Sequence, residues 1–339
     1  MSEYPVIRFP KPPVIHSYAG IAGEKEGAGP MGHYFDRIIP DPSFGEASWE
    51  RAESRLQQEA LALALQRGGL QASDLGCIAA GDLINQCTVS SYAAKGSGVP
   101  FLGVFGACST MAESLLLSGV LTASGACRYA AAGTSSHNST AERQFRFPLT
   151  YGGQRTPTAQ WTCTAAGAAV VSAQGTAPRI LGGAFGRILD LGVTDATNMG
   201  AAMAPAAADT IARYLRGTQT KPSDYDAIVT GDLGAVGTSL LFDLLGRDGF
   251  DISGVHLDCG AMMFDPDTQD THAGGSGCGC SASILCACLL PALSEGRMRR
   301  ILFAATGALL SLLSSQQGES IPGICHLAEL AMPEGGAVC

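Results

Sequence analysis

Apolar and polar positions along the chain follow two different periods, which together predict alternating helices and strands. The stretch WERAESRLQQEALALALQRGG (49–69) repeats apolar residues at helical spacing and ends at a pair of glycines, so it predicts a helix. A second helix is predicted at 109–124, STMAESLLLSGVLTAS. Short apolar runs bounded by turn residues predict strands. These runs cover 74–83, 100–108, 127–136 and 161–173. Such alternation is typical of a layered α/β fold.

The second half of the chain repeats this pattern. Residues 203–217, MAPAAADTIARYLRG, predict a helix with Pro205 in its first turn, and 224–245 predicts a strand, a Gly-Asp-Leu turn and a helix. The same Gly-Asp-Leu triplet ends the first predicted strand, and 280–311 parallels 108–136. A repeat of this length predicts two like halves related by a pseudo-twofold axis. Chance similarity between two alanine-rich α/β segments is the alternative.

We place the two predicted halves at 1–177, which carries Cys108, and at 178–339. Each is expected to be a layered α/β/α unit. The chain has 339 residues, of which 46% are apolar and only 15% are charged, so it can bury a large core.

Charge and hydropathy exclude two classes of protein. The net charge is −9 and there is no dense run of Lys and Arg, which argues against a nucleic-acid-binding protein. The amino terminus has no signal-peptide pattern, and no apolar stretch is long enough to span a bilayer. We therefore expect a protein that is not secreted and that reaches a membrane only through a partner.

Twelve cysteines raise the question of a metal or disulfide framework. The closest set, Cys278, Cys280, Cys286 and Cys288, lies in an Ala/Leu-rich stretch without nearby His or carboxylate residues, and its spacing is not that of a zinc ribbon. Reduced, buried thiols are the preferred interpretation, and no metal site is predicted.

Several sequence blocks carry a resemblance to known families. FGACST (105–110) resembles the nucleophile turn of the thiolase superfamily, which includes the ketoacyl synthases. More closely, the chain resembles the stage V sporulation protein AD (SpoVAD) family. The blocks that carry this resemblance are GDLINQ (81–86), TSSHNSTAERQFRFPLTYGGQRTPTAQ (134–160), MAPAAADT (203–210), HLDCG (256–260), HAGGSGCGCSA (272–282), ATGALLS (305–311) and QQGESIPGICH (316–326).

The resemblance implies a thiolase-like fold that is usually dimeric. It also implies a role in spore-forming bacteria as a protein that binds dipicolinic acid (pyridine-2,6-dicarboxylate) or its calcium chelate. Family members work with the SpoVA membrane proteins in spore dipicolinate uptake and in its release during germination. The implied location is the cytoplasm or forespore, peripheral to the spore inner membrane. No cofactor is implied beyond the calcium of the ligand.

The catalytic histidine of thiolase relatives has no counterpart in the matching blocks. GGSGCGCSASIL (274–285) is similar to the thiolase block GHPxGASGARIL but has Gly275 in place of its histidine. The synthase pattern PHQAN is replaced by TGDLGA (230–235), and GCGCSAS (277–283) lacks the asparagine of GNTSAAS. A binding protein without catalysis is therefore our first hypothesis. The alternatives are an acyltransferase or condensing enzyme that uses Cys108 as nucleophile, and a purely structural scaffold for the SpoVA proteins.

Backbone N–H groups at helix starts and glycine-rich turns suit ligand carboxylates, and neighbouring hydroxyls can add donors. The predicted ligand-binding residues are Cys108, Ser109, Thr110, Ser136, His137, Gly275, Ser276, Asp82 and Asp232. The two aspartates suit calcium if it accompanies the ligand, but helix capping is their commoner use. His137 is expected either to border the pocket or to bond loop backbone.

The sequence does not assign a single role to three further groups of residues. Arg143 and Arg146 are either a surface or dimer-interface pair or a clamp for one carboxylate. Phe145, Phe147 and Tyr151 are either a stacking face or core residues. The remaining histidines that could replace the missing base, His256 and His272, need unusual geometry to do so.

Overall fold

Strands and helices alternate throughout the residues that the computed structural model describes, which are 5–146, 154–176 and 178–333. The strands are β1 (Ile7–Arg8), β2 (Val14–Gly23), β3 (Arg37–Ile39), β4 (Cys77–Gly81), β5 (Phe101–Gly103), β6 (Tyr129–Ser136), β7 (Trp161–Thr162), β8 (Ala165–Ser172), β9 (Arg179–Ala184), β10 (Ala227–Thr230), β11 (His256–Asp258), β12 (Gly275–Ser276), β13 (Arg300–Ala308) and β14 (Gly323–Ala331).

The α-helices take the positions between these strands. They are α1 (Glu24–Gly27), α2 (Trp49–Gly68), α3 (Thr88–Ala94), α4 (Thr110–Ala123), α5 (Asn138–Phe145), α6 (Met199–Thr218), α7 (Gly234–Arg247), α8 (Cys259–Met263), α9 (Cys278–Ile284), α10 (Leu290–Ser294) and α11 (Leu312–Gln316). A single π-helical turn, Leu285–Leu289, joins α9 to α10.

Two runs of five strands form the main sheet, and they have the same internal order. The first run is β5-β4-β6-β8-β2 and the second is β11-β10-β13-β14-β9. In each run the first three strands pair in parallel and the remaining pairs are antiparallel. The runs meet where Val14 of β2 pairs with Arg179 of β9. This repeated order confirms the predicted α/β fold of two pseudo-twofold-related halves, while the limits 1–177 and 178–339 stay a prediction.

The helices form one inner and two outer layers. Apolar side chains of α4 and α9 pack against both runs of strands, so these two helices lie between them. Leu56, Ala60 and Ala64 of α2 cover the outer face of the first run. The buried face of α6, with Met203, Ile211 and Leu215, covers the outer face of the second. The inner layer matters most for function, because α4 and α9 both begin beside Cys108.

Some predicted boundaries were wrong. The apolar run at 100–108 is a strand only over β5, and 161–173 divides into β7 and β8. Pro205 lies in the second turn of α6 rather than the first, because the helix begins at Met199. The Asn198 side chain caps it there by accepting a hydrogen bond from the Ala201 N–H.

Within the described ranges no helix has both the length and the apolar character that crossing a membrane requires.

Helix α9 lies unusually close to β8, and a glycine permits this contact. A Cβ atom at Gly167 would lie 2.3 Å from the Ala282 carbonyl oxygen and 2.4 Å from its carbonyl carbon. Both atoms belong to the helix backbone, so neither can move without shifting α9. The position of α9, and with it the floor of the site described below, therefore depends on the missing side chain.

We predict that Gly167→Ala lowers the free energy of unfolding by about 1–3 kcal/mol, the usual cost of overpacking a core. Gly133→Ala on the adjacent strand is the matched control, because its Cβ would meet no atom closer than 3.4 Å. Urea unfolding followed by circular dichroism measures both. Equal midpoints for the two variants would contradict the close packing of α9 on β8.

Candidate functional site

A cavity of about 250 Å³ opens in front of Cys108, between the two halves of the chain. Its wall is mainly apolar, with a few polar side chains among the apolar ones. The lining residues are Leu83, Phe105, Ala107, Cys108, Ala141, Glu142, Phe145, Arg146, Gln160, Thr162, Ala196, Thr197, Met199, Met203, Ser276, Ala308 and Leu310. An apolar wall with a few convergent polar groups is characteristic of small-molecule sites, and this volume suits a small ligand.

Cys108 is held at a sharp turn between β5 and α4. Ala107, the residue before it, has a left-handed backbone with φ of 48°, which non-glycine residues rarely adopt. The turn directs Cys108 toward Leu83, Phe145 and Cys278, and α4 begins two residues later. Strained turns of this kind persist where surrounding structure enforces them, often at functional sites.

Asp232 lies under the cavity floor and binds two other segments of the second half. Its carboxylate accepts hydrogen bonds from the Ser276 Oγ and the Gly277 N–H, both at 2.9 Å, and from the Thr306 Oγ1 at 2.8 Å. The carboxyl group is fully buried. Because three donors satisfy it, Asp232 serves as a structural anchor for the floor rather than as a free ligand-binding group.

The Cys108 thiol is in an environment that disfavours the thiolate. Burial, followed by the nearby Asp232 carboxylate, raises the pKa of Cys108 well above the ordinary thiol value. Burial also raises the pKa of Asp232, to about 6, although its hydrogen bonds oppose the shift. A catalytic thiol requires the reverse, a pKa lowered by a cationic neighbour or a helix dipole. The Ser276 Oγ lies 4.0 Å from the Cys108 Sγ.

None of the six histidines lines the cavity; all six lie in the described parts of the chain. His256 contacts the Thr230 hydroxyl at 2.9 Å on the outermost strand pair. His272 lies near the Thr156 carbonyl and Asp270. His326 is buried with its Nε2 4.0 Å from Glu113, behind the turn. No imidazole base therefore faces the cavity in front of Cys108.

Two of the nine predicted ligand-binding residues, Cys108 and Ser276, line the cavity. Ser109 and Thr110 do not, because their hydroxyls donate to the carbonyls of Gly106 and Ala107 within the turn. Their N–H groups bond to the same two carbonyls. The hydroxyl and N–H groups of these two residues, at the start of α4, are therefore not available to bind a ligand.

Ser136, His137 and Gly275 also lie away from the cavity. The Ser136 hydroxyl donates to the Cys163 carbonyl and accepts from the Gly279 N–H. His137 caps α5 by accepting from the Ser139 N–H, and its Nε2 contacts the Pro42 carbonyl at 2.9 Å. Gly275 is buried in the β7–β12 pair, opposite Trp161. The alternative given for His137, bonding to loop backbone, is the one that the structure shows.

The aspartates are occupied in the same way. Asp82 accepts hydrogen bonds from the N–H groups of Ile84 and Ser90 and from the Ser90 hydroxyl. It therefore stabilises the turn into α3 instead of facing the cavity, as Asp232 stabilises the floor. Across the described residues, no cluster of three or more His, Cys, Asp or Glu side chains is placed to hold a metal ion.

Arg146 reaches the cavity and Arg143 does not. Arg146, at the end of α5, pairs with Glu142 one turn earlier, and both line the cavity. Its second nitrogen lies 3.4 Å from the Gln160 carbonyl oxygen. Arg143 pairs with Glu50 of α2 instead. Phe145 lines the cavity as well, whereas Phe147 and Tyr151 lie outside the described residues.

Several lining residues were not predicted from the sequence. Gln160 fixes the floor by donating from Nε2 to the carbonyls of Asp232 and Gly275, at 2.7 and 2.8 Å. Its Oε1 is buried and has no hydrogen-bond partner in the described part of the chain. Thr197, Met199 and Leu310 come from segments of the second half. No local motif marks these positions; only the internal repeat suggests that the second half closes a site in the first.

Residues 5–331 match the family model described as stage V sporulation protein AD (SpoVAD). The chain is 43% identical over 318 residues to the stage V sporulation protein AD of Bacillus subtilis strain 168, with 94% of each chain covered.

Solved structures of other proteins have similar folds. An OleA variant from Xanthomonas campestris with cerulenin superposes with a TM-score of 0.61 at 16% identity, covering 96% of this chain and 97% of the other. The 3-oxoacyl-[acyl-carrier-protein] synthase III of Aquifex aeolicus gives 0.56 at 14% identity, covering 94% and 99%. At this identity the likeness concerns the fold, which is confirmed as thiolase-like.

We predict that Asp232→Asn lowers the pKa of Cys108, because the substitution removes the negative charge beside the thiol. Each unit of decrease raises the thiolate fraction at pH 8 by about tenfold. The rate of alkylation by iodoacetamide rises by about threefold, because a thiolate becomes less nucleophilic as its pKa falls. Peptide mass spectrometry of Cys108 measures the rate. Asp82→Asn is the control, since it neutralises a buried carboxylate that is not beside Cys108. Unchanged alkylation in Asp232→Asn would contradict the charge effect.

Proposed function

The chain belongs to the stage V sporulation protein AD family, and from its site we propose that it binds dipicolinic acid, free or as the calcium chelate. The proposed binding site is the cavity in front of Cys108, and the proposed role is uptake of this ligand into spores and its release during germination. Family membership supports the sporulation role. The ligand and the site are the parts that require an experiment.

One observation carries the proposal of binding without catalysis. The cavity retains the strained turn and the cysteine, but the thiol lies beside a buried carboxylate and no imidazole lines the wall. Losing a positioned acid or base commonly costs about 10²–10⁴-fold in rate, and catalytic groups that act together fail together. What remains is an open pocket with a mainly apolar wall, suited to holding a ligand.

The polar groups of the pocket match a flat aromatic dicarboxylate. Arg146 is the cationic lining residue, and its guanidinium can bind one carboxylate through two parallel hydrogen bonds. The Thr162 hydroxyl has no partner among the described residues and faces the second carboxylate in our proposal. The Ser276 hydroxyl is already donated to Asp232. Phe145 and Leu83 supply apolar surface for the ring.

Calcium enters the proposal as part of the ligand. Calcium binds oxygen atoms of carboxylates, amides and water. Glu142 and Gln160 are the lining residues with such side-chain oxygens, and the Gln160 Oε1 has no partner in the described structure. For the chelate, these two residues are therefore the proposed metal contacts, in place of Asp82 and Asp232.

Two other functions remain testable against this one. The first is an acyltransferase or condensing enzyme using Cys108, favoured by the fold shared with condensing enzymes and by the strained turn. The second is a scaffold that binds no small ligand and only assembles with SpoVA membrane proteins. In our proposal the SpoVA proteins are partners, and they hold the protein at the forespore inner membrane.

We also propose a homodimer formed through β5. This strand ends the first run of the sheet, and its outer backbone groups have no strand partner among the described residues. Leu102 on β5 and Phe105 just after it are 39% and 47% exposed. An uncovered strand edge with apolar side chains favours pairing with a second copy.

Calorimetric titration tests ligand binding, and the two arginines of α5 provide a matched pair. We expect saturable 1:1 binding of dipicolinate, with and without calcium, and at least tenfold weaker binding by Arg146→Gln, because a charge-assisted hydrogen bond is lost. Arg143→Gln, which removes the same charge one turn away, is expected to bind like wild type.

Other outcomes would each contradict a different part of the proposal. No binding by folded wild-type protein contradicts the ligand. Equal weakening by both substitutions contradicts the site and points to a general charge effect. An acyl adduct on Cys108 after incubation with acyl-coenzyme A, seen by intact mass, supports the enzyme instead.

Sedimentation equilibrium tests the dimer. We expect Leu102→Glu to raise the dimer dissociation constant at least tenfold, because it places a charge at the strand edge. Leu313→Glu, at a position 66% exposed on α11, is the control. A monomeric wild-type protein contradicts the proposal.

A further inference from the structure

Two cysteines at the far end of α4 from the cavity lie side by side. Cys77 is the first residue of β4, and Cys127 lies in the turn between α4 and β6. Their sulfur atoms are 3.8 Å apart. Neither residue has a part in the cavity or in the proposed binding of dipicolinate.

The backbone holds both cysteines in place. Gly125 ends α4 in a left-handed conformation, and the N–H groups of Ala126 and Cys127 both donate to the Leu121 carbonyl. On the other side, the Gly76 N–H donates to the Tyr129 carbonyl at 2.9 Å, which fixes the start of β4 beside β6. The proximity of the two thiols therefore follows from hydrogen-bonded backbone, not from one side-chain rotamer.

Gly76 makes room for this contact. A Cβ atom at Gly76 would lie 2.7 Å from the Cys127 Sγ and 2.9 Å from its Cβ. The Cys127 side chain thus packs directly on the backbone next to Cys77. A disulfide requires an S–S distance of about 2.05 Å, so closure needs side-chain rotation while the two strands stay paired.

Exposure distinguishes this pair from the other neighbouring thiols. Cys127 is partly exposed, whereas Cys77 is 5% exposed. Cys163 and Cys280 also lie next to each other, but both are fully buried in the inner layer. Cys127 is therefore the more accessible of these four thiols to a dissolved oxidant.

We propose that Cys77 and Cys127 are a reversible oxidation site that forms an intramolecular disulfide with small-molecule disulfides. The Cys127 thiolate attacks one sulfur of the small disulfide, forming a mixed disulfide and releasing one small thiol. Cys77 then loses its proton and attacks the Cys127 sulfur. The protein S–S bond forms and the second small thiol leaves, so two protein thiols are oxidised and one small disulfide is reduced.

The order of these steps follows from the environment. Burial raises the pKa of Cys77 to about 12, which makes it a poor first nucleophile. The mixed disulfide on Cys127 places the second reaction within a few ångströms, where proximity compensates for a small thiolate fraction. The product joins the turn after α4 to the start of β4. It closes a long loop and so stabilises the chain against unfolding.

Oxidised glutathione is the probe for the test. Folded full-length protein is incubated with it, remaining thiols are alkylated, and peptides are mapped without reduction. We expect a cross-link between the peptides of Cys77 and Cys127, a higher thermal midpoint, and reversal of both by dithiothreitol. Dipicolinate binding is not part of the readout, so the result is independent of the proposed function.

Two single substitutions separate the steps. Cys77→Ser should stop at a stable glutathione adduct on Cys127, and Cys127→Ser should leave Cys77 unmodified. Cys163→Ser is the control and should still form the cross-link. Wild-type protein that accumulates only the adduct, that remains unmodified, or that cross-links other cysteines overturns the proposal.

Discussion

The geometry of the site depends on one buried carboxylate, that of Asp232. Its three hydrogen bonds hold together the end of β10, the β12–α9 turn and β13, and the Gln160 side chain ties the same floor to the first half. A buried carboxylate with fewer hydrogen-bond donors is strongly destabilising. Each of these hydrogen bonds therefore helps to keep the others in place. The charge that stabilises the floor also suppresses the Cys108 thiolate. One carboxylate therefore both anchors the floor and adds to the effect of burial in raising the pKa of Cys108.

The fold was predictable because its information is local and repeated. The apolar stripe of α2, with its glycine stop, and the buried runs of β4 and β6 are patterns that a single segment carries. The Gly-Asp-Leu triplets mark the same strand end in both halves, and the equal strand order explains why they recur. Pro205 shows the limit of local patterns. Its place in α6 is set by the Asn198 cap, seven residues earlier, outside the predicted helix.

The site was less predictable because hydroxyls and carboxylates have competing partners. Ser109 and Thr110 occupy the positions that the sequence suggested, but the turn itself consumes their donors. The lining residues Thr197 and Leu310 approach Cys108 only when the two halves pack, and no spacing in the sequence encodes that distance. Gln160 is similar, since its importance lies in two backbone carbonyls far away in the chain. The residue types predicted which side chains can bind a ligand, but the packing of the fold determines which of them are free to do so.

In the proposed complex, the electrostatics of the cavity let a negatively charged chain accept an anion. Without a ligand, the charge of Arg146 is neutralised by Glu142, and both side chains are partly exposed. Exposed pairs of this kind contribute about 0–1 kcal/mol, so exchanging Glu142 for a ligand carboxylate costs little. The freed Glu142 then either returns to solvent or contacts the calcium of a chelate. A fully buried arginine pair would have made the same exchange expensive, because removing one partner from a buried pair leaves an uncompensated charge. The position of Arg146 at the exposed end of α5 therefore suits the proposed function, in which the site both loads and releases dipicolinate.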